Sequence, residues 1–168
     1  MEDRPRTYVG SATGQRPALK DVRQMSGGCA CGRVRFLAEI ENNDAYLCHC
    51  RMCQRATGSV SIALKNLPQA RLRWLSPPDW YDSSPIARRP FCATCGTSLG
   101  FQYLEGKNLD LTVASFDEPG SFKATSHFGA ESIHEAWLDT FTLPRTRTDE
   151  YQPLVDRWTA ATGAPPMR

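Results

Sequence analysis

The chain has 168 residues, of which 40% are hydrophobic and 23% charged, the composition of a soluble globular domain with a modest core. Lys and Arg total 20 against 18 Asp and Glu, and a net charge of +2 excludes bulk electrostatic attraction to nucleic acid or to a membrane surface. No apolar run approaches the roughly 20 residues a membrane helix needs, and Met1-Glu2-Asp3-Arg4-Pro5 lacks the charged-then-apolar layout of a secretory signal, so a reducing, cytoplasmic setting is expected.

Residues 1–24 mix Pro, Gly, Ser, Thr and charge with no apolar period, and predict a flexible N-terminal leader. From residue 25 the pattern changes. Val34, Phe36, Ala38 and Ile40 alternate with polar neighbours, as do Val60, Ile62 and Leu64, then Leu72 and Trp74, then Leu109, Leu111 and Val113. That period of two is the mark of short half-buried strands, and Pro68, Pro77-Pro78, Pro85, Pro90, Gly106 and Pro119-Gly120 separate them. Phe116, Phe122 and Phe128 are expected to pack in the core. Two segments read as helical. One is a short turn through residues 50–55; the other begins where Asp149 can cap a helix carrying Leu154, Val155 and Trp158, and ends at Gly163 before Pro165-Pro166. The chain therefore reads as a mainly β zinc-binding domain over residues 25–145, followed by a C-terminal helix and tail over 146–168.

All seven cysteines fall into three clusters: Cys29-Ala30-Cys31-Gly32, Cys48-His49-Cys50-Arg51-Met52-Cys53 and Cys92-Ala93-Thr94-Cys95-Gly96. Close pairs in a chain without an export signal point to zinc rather than to disulfides, because thiolates on a tight turn can present their sulfurs to one tetrahedral ion. Four ligands close a structural site, and the remaining three leave an ion with an open position, as catalytic zinc requires. The glycines divide the set. Gly32 follows Cys31 and Gly96 follows Cys95, where a knuckle that turns sharply toward the metal needs positive φ. Cys29, Cys31, Cys92 and Cys95 are thus expected to form the closed structural site, which contributes folding free energy on the order of 10 kcal/mol. Cys53 is followed by Gln54 and Arg55 with no glycine, and Cys48, Cys50 and Cys53 lie within one short run that covers only one side of a metal. His49, between two of them, is expected to point away. His127 and His134 read as surface or hydrogen-bonded histidines.

Several segments together resemble the glutathione-dependent formaldehyde-activating enzyme family, which also includes centromere protein V. They are Ser26-Gly27-Gly28-Cys29-Ala30-Cys31-Gly32-Arg33-Val34-Arg35-Phe36, Cys48-His49-Cys50-Arg51-Met52-Cys53, Thr57-Gly58-Ser59 and Phe91-Cys92-Ala93-Thr94-Cys95-Gly96-Thr97. The resemblance continues through Val113-Ala114-Ser115-Phe116-Asp117-Glu118-Pro119 and Trp137, and covers roughly residues 26–143. It implies a β-tent fold, twisted antiparallel sheets pinned by zinc. It also implies two zinc ions per chain: a structural one on Cys29, Cys31, Cys92 and Cys95, and a catalytic one on Cys48, Cys50 and Cys53. The implied activity joins formaldehyde to glutathione to give S-hydroxymethylglutathione, a carbon–sulfur lyase reaction run in reverse.

That chemistry suits a thiolate-rich site. A free thiol has a pKa of about 8.5, and ligation to zinc deprotonates it. Three thiolates already around the ion weaken its Lewis acidity, which favours thiol transfer over water activation. The expected partners are a small glutathione-like thiol and an aldehyde, with neither nucleic acid nor membrane. Arg51 and Arg55, together with Arg88 and Arg89, lie near the clusters in sequence and have the fork geometry that suits a substrate carboxylate, set against a plain solvent-facing role. The alternative to an enzyme is a zinc-stabilised binding module without turnover, as the centromere-protein relative suggests. The intact middle cluster favours the enzyme, and the short mixed-charge leader lends the module little.

Overall fold

A computed structural model describes residues 22–138 and 143–165 of the chain. They fall into two units, Met1–Ile133 and His134–Arg168. The first holds strands β1 (Arg23–Gly28), β2 (Arg35–Ile40) and β3 (Asp44–Cys48), helix α1 (Arg51–Thr57), then β4 (Ile62–Pro68), β5 (Leu72–Ser76), β6 (Asp79–Ser84), β7 (Ala87–Phe91), β8 (Gly100–Tyr103), β9 (Asn108–Thr112) and β10 (Lys123–Phe128). The second holds α2 (Glu135–Leu138) and α3 (Gln152–Thr162). Among the described residues, no helix is long and apolar enough to cross a membrane.

The strands form a three-stranded sheet in the order β1-β2-β5 and a seven-stranded sheet in the order β10-β3-β4-β9-β8-β7-β6. The architecture is mainly β with a short C-terminal helix, as expected for a β-tent zinc-binding fold. Pairing is antiparallel throughout except at one edge, where β10 runs parallel to β3 and sets Phe128 opposite Cys48. Alternation explains the small sheet: in β2, Phe36, Ala38 and Ile40 are buried while Glu39 faces solvent. These side chains and Met25 from β1 meet Leu67, Leu109 and Leu111 of the large sheet, together with Phe116. Phe36 is fully buried and stands edge-on to Trp74 at 5.6 Å and to Phe116 at 5.2 Å. Removing such a ring typically costs about 3–5 kcal/mol.

β9 breaks the alternation. Leu109, Asp110, Leu111 and Thr112 are all buried, because the strand lies inside the sheet with cover on both faces. Val113 leaves the strand and begins a 3-10 turn.

Other expectations are corrected locally. Residues 1–21 of the predicted leader lie outside the described residues, and Arg23 and Gln24 already belong to β1. Phe116 is buried and Phe122 packs against it, but Phe128 is exposed, because β10 is an edge strand with every residue open to solvent. In the second unit α3 ends at Gly163 as read, but Asp149 is not its cap. Tyr151 precedes the helix without a side-chain cap bond, and Asp149 accepts hydrogen bonds from Arg147 instead. A proline in the first turn needs no N–H partner, so Pro153 fits as the second residue of the helix without one.

Candidate metal centres and the adjoining cavity

Two turns from distant parts of the first unit meet at the first centre. Cys29 and Cys31 lie on the connection from β1 to β2, and Cys92 and Cys95 on that from β7 to β8. Their four sulfurs all lie within 4.8 Å of one another. The Cys29–Cys31 separation is 3.5 Å and that of Cys31 and Cys92 is 3.8 Å. A zinc–sulfur bond of about 2.3 Å in tetrahedral geometry implies sulfurs roughly 3.8 Å apart, so the spacing fits a zinc ion.

The local chain explains the convergence. Gly32 and Gly96 take φ of 78° and 75°, and their N–H groups donate to the carbonyls of Cys29 (3.0 Å) and Cys92 (2.7 Å), closing one turn across three residues and the other across four. The Val34 N–H reaches a sulfur as well, 3.2 Å from Cys29 Sγ. Arg33 donates through Nε to Cys92 Sγ at 3.4 Å and forms an ion pair with Asp79, which in turn accepts the Ala93 N–H at 2.7 Å. The Thr97 hydroxyl ties the two turns together, accepting from the Ala30 N–H and lying 3.1 Å from Cys95 Sγ. That hydroxyl is the main cause holding the Cys95 thiol down to about 5.

The second centre gathers three sulfurs within 4.8 Å: Cys48 at the end of β3, Cys50 just before α1, and Cys53 inside it. Cys48 and Cys50 are 3.5 Å apart, and Cys50 Sγ accepts the Cys53 N–H at 3.4 Å. These distances also suit one thiophilic ion, with three donors supplied and one position left. Among the described residues no histidine nitrogen joins either cluster. His49 is fully buried and holds His127 instead, Nε2 to Nδ1 at 2.9 Å with the rings stacked. Burial and the neighbouring imidazole hold His49 below the usual histidine value. Gln54 braces the turn by donating to the carbonyls of His49, Val60 and Ser132.

Arg89, only 6% exposed, reaches Cys53 Sγ with Nη2 at 3.5 Å and stands over the Phe101 ring at 5.0 Å. Its Nε is buried without a hydrogen-bond partner among the described residues. Cys53 is held down to about 5, first by its hydrogen bond with the Cys48 thiol and then by Arg89 against the opposing effect of burial.

All three cysteines of this centre line a cavity of about 640 Å³, a size that suits a small-molecule ligand. Its remaining walls are largely apolar: Tyr46, Leu64, Phe101, Tyr103, Ile86 and Phe128 contribute, with Met52 beside Cys53. The polar groups are few. Asp110 is buried, accepts the Asn66 amide at 2.9 Å, and is pushed up by burial against the pull of that bond and one from Tyr46. Burial likewise pushes the Tyr46 hydroxyl up.

Of the four arginines near the clusters, only Arg89 lines the cavity. Arg51 is exposed on α1 and donates to Gln54 Oε1, and Arg55 is exposed on the same helix. Arg88 donates to Gln102 and covers the Trp80 ring at 4.1 Å. Sequence reasoning passed over Asp110 because an acid between Leu109 and Leu111 reads as the solvent side of a strand. Its signal would have been the whole of β9, which needs an interior place in the sheet to exist.

A family model described as glutathione-dependent formaldehyde-activating enzyme matches residues 24–132. An uncharacterized lyase of Schizosaccharomyces pombe is 33% identical over 85 residues, 51% of this chain. The matched segment spans 62% of that relative's own length. A crystal structure of a Rhodobacter sphaeroides protein aligns at a TM-score of 0.49 and 26% identity, covering 60% of this chain and 100% of that one.

Proposed function

The chain belongs to the glutathione-dependent formaldehyde-activating enzyme family, and on that premise we propose that it is a zinc-dependent carbon–sulfur lyase that forms or cleaves an S-hydroxymethyl-type adduct at the Cys48, Cys50 and Cys53 centre. The observation that carries this reading is that these three sulfur-bearing residues line a ligand-sized cavity, whereas the other cluster is closed by four. Cys29, Cys31, Cys92 and Cys95 would hold a structural zinc ion, and Cys48, Cys50 and Cys53 a second one. Bound there, zinc supplies a thiophilic position that favours the deprotonated form of a substrate thiol.

In the forward direction the thiol loses its proton and its sulfur attacks the aldehyde carbon. The carbonyl π pair moves to oxygen, which takes a proton; cleavage reverses each transfer. The chain's own residues supply placement and charge. Arg89 offsets the negative charge of the sulfurs through its contact with Cys53. Asp110 faces the same cavity and can relay the proton that leaves sulfur and reaches oxygen, and burial raises its pKa in the direction that lets it hold that proton.

The test is zinc counting together with exchange kinetics of a thiol–formaldehyde adduct, on wild type and Cys53→Ser. Wild type should carry two zinc ions per chain and speed the exchange, while the variant keeps its fold with one and loses the rate. A folded wild type with both ions and no effect on exchange would sink the enzyme reading in favour of a zinc-stabilised binding module.

A further inference from the structure

We infer that the molecule this cavity admits beside its cysteine centre is an uncharged aromatic or branched apolar thiol or aldehyde, not the charged tripeptide glutathione. This inference rests on the lyase reading above and narrows its substrate class.

Charge carries the first part of the argument. Glutathione brings two carboxylates and one ammonium at neutral pH, and each carboxylate needs a cation or several donors once water is excluded. Among the described residues Arg89 is the one cationic side chain lining the cavity; its Nη2 is engaged by Cys53 Sγ and its guanidinium lies over the Phe101 ring, which leaves the buried Nε as its unpartnered donor. With zinc bound, the ion and Arg89 together only balance three thiolates, and the Asp110 carboxyl shares the cavity, so no surplus positive charge is left to hold a carboxylate. The other cations of this region are committed elsewhere. Arg88 lies over Trp80, Lys65 donates to Asn42 and to the Asp44 carbonyl, and Arg51 and Arg55 sit outside the cavity walls.

The apolar surface carries the second part. Met52, Ile86, Tyr103 and Phe128 are 47%, 64%, 49% and 58% exposed, and all four line this cavity. They come from four separate places: α1, the β6–β7 turn, β8 and β10. Their meeting beside the open cysteine centre gives a ligand ring or branched chain apolar contact on several sides. The polar groups of the lining, Asn66, Asp110 and Ser84, are uncharged or already hydrogen-bonded to one another, and suit a hydroxyl or amide rather than an anion.

The experiment is calorimetric titration of the zinc-loaded chain with benzyl mercaptan and, separately, with glutathione, in a non-thiol reductant. Adduct exchange with formaldehyde is followed for each thiol. Benzyl mercaptan should bind at least about tenfold more tightly. Ile86→Ser and Phe128→Ser alter exposed side chains and should leave the fold intact. Each should weaken benzyl mercaptan by roughly three- to tenfold and leave glutathione unchanged. If glutathione binds as tightly, or if the two variants weaken both thiols alike, the substrate-class inference is overturned and the lyase reading stands. If benzyl mercaptan binds preferentially but exchange is no faster than in buffer, the lyase reading falls while the cavity's preference is upheld. Binding of neither thiol overturns both.

Discussion

Replacing Arg89 by methionine removes one positive charge from beside Cys53 while keeping most of the side-chain volume. At the observed 3.5 Å and an effective dielectric of about 20, a guanidinium and a thiolate attract by roughly 5 kcal/mol. Part of that is offset, because the variant no longer buries a charged side chain that is only 6% exposed and carries an unpartnered Nε. Taking about half as the net effect gives roughly 2–3 kcal/mol, or a loss of about 30- to 150-fold in zinc affinity at the three-cysteine centre. Among the described residues the closed four-cysteine centre makes no hydrogen bond with Arg89 and should hold its ion unchanged. Competition against a chromophoric chelator reads both affinities, since the two ions should be released in separate steps. A loss under about threefold, or an equal loss at both centres, would refute the assignment of Arg89 as the charge that supports the open cluster.

Two further substitutions probe the frame around the sites. Gly96→Ala places a side chain at φ of 75° where no heavy atom lies within 4 Å, so its cost is backbone strain alone. About 1–2 kcal/mol of destabilisation is expected in urea melts of the zinc-loaded chain; a neutral result would mean that the turn does not need a left-handed residue. Asp117 accepts hydrogen bonds from Arg35 and Ser26, and these hold its carboxyl below the usual range. A depressed acid stabilises the fold above its unfolded pKa of about 3.9, and that contribution is lost as pH falls through the lower folded value. Asp117→Asn should therefore be less stable than wild type at pH 7 by under about 1 kcal/mol, given the pair's exposure. The gap should close in melts run toward pH 2, and a gap that widens on acidification would reverse the sign argued here.

The cysteine pattern was legible in the sequence because each cluster is local. Turn geometry puts Cys29 near Cys31 and Cys92 near Cys95, and the two glycines mark where the backbone must turn back. Strand alternation was legible wherever one face meets the core, as in β2. The cavity was not, since its lining runs from Tyr46 to Phe128 and comes from seven strands and a helix as well as the β6–β7 turn. β10 carries no period-two signal because both its faces are exposed, so neither its parallel pairing nor the place of Phe128 could be read. His49 and His127, 78 positions apart, are likewise joined only by that pairing.

The two centres differ in how much chain they must gather. The closed one brings Cys31 to Cys92 across 61 positions, while the open one draws on residues 48–53 alone. In an unfolded chain the compact trio can seize an ion without closing a long loop, whereas the distant pairs must first find each other against chain entropy. Metal offered sparingly during refolding is therefore expected to go first to the centre that the fold needs least. The ion that pins the sheets would be captured last, so folding yield should follow the second equivalent of zinc rather than the first.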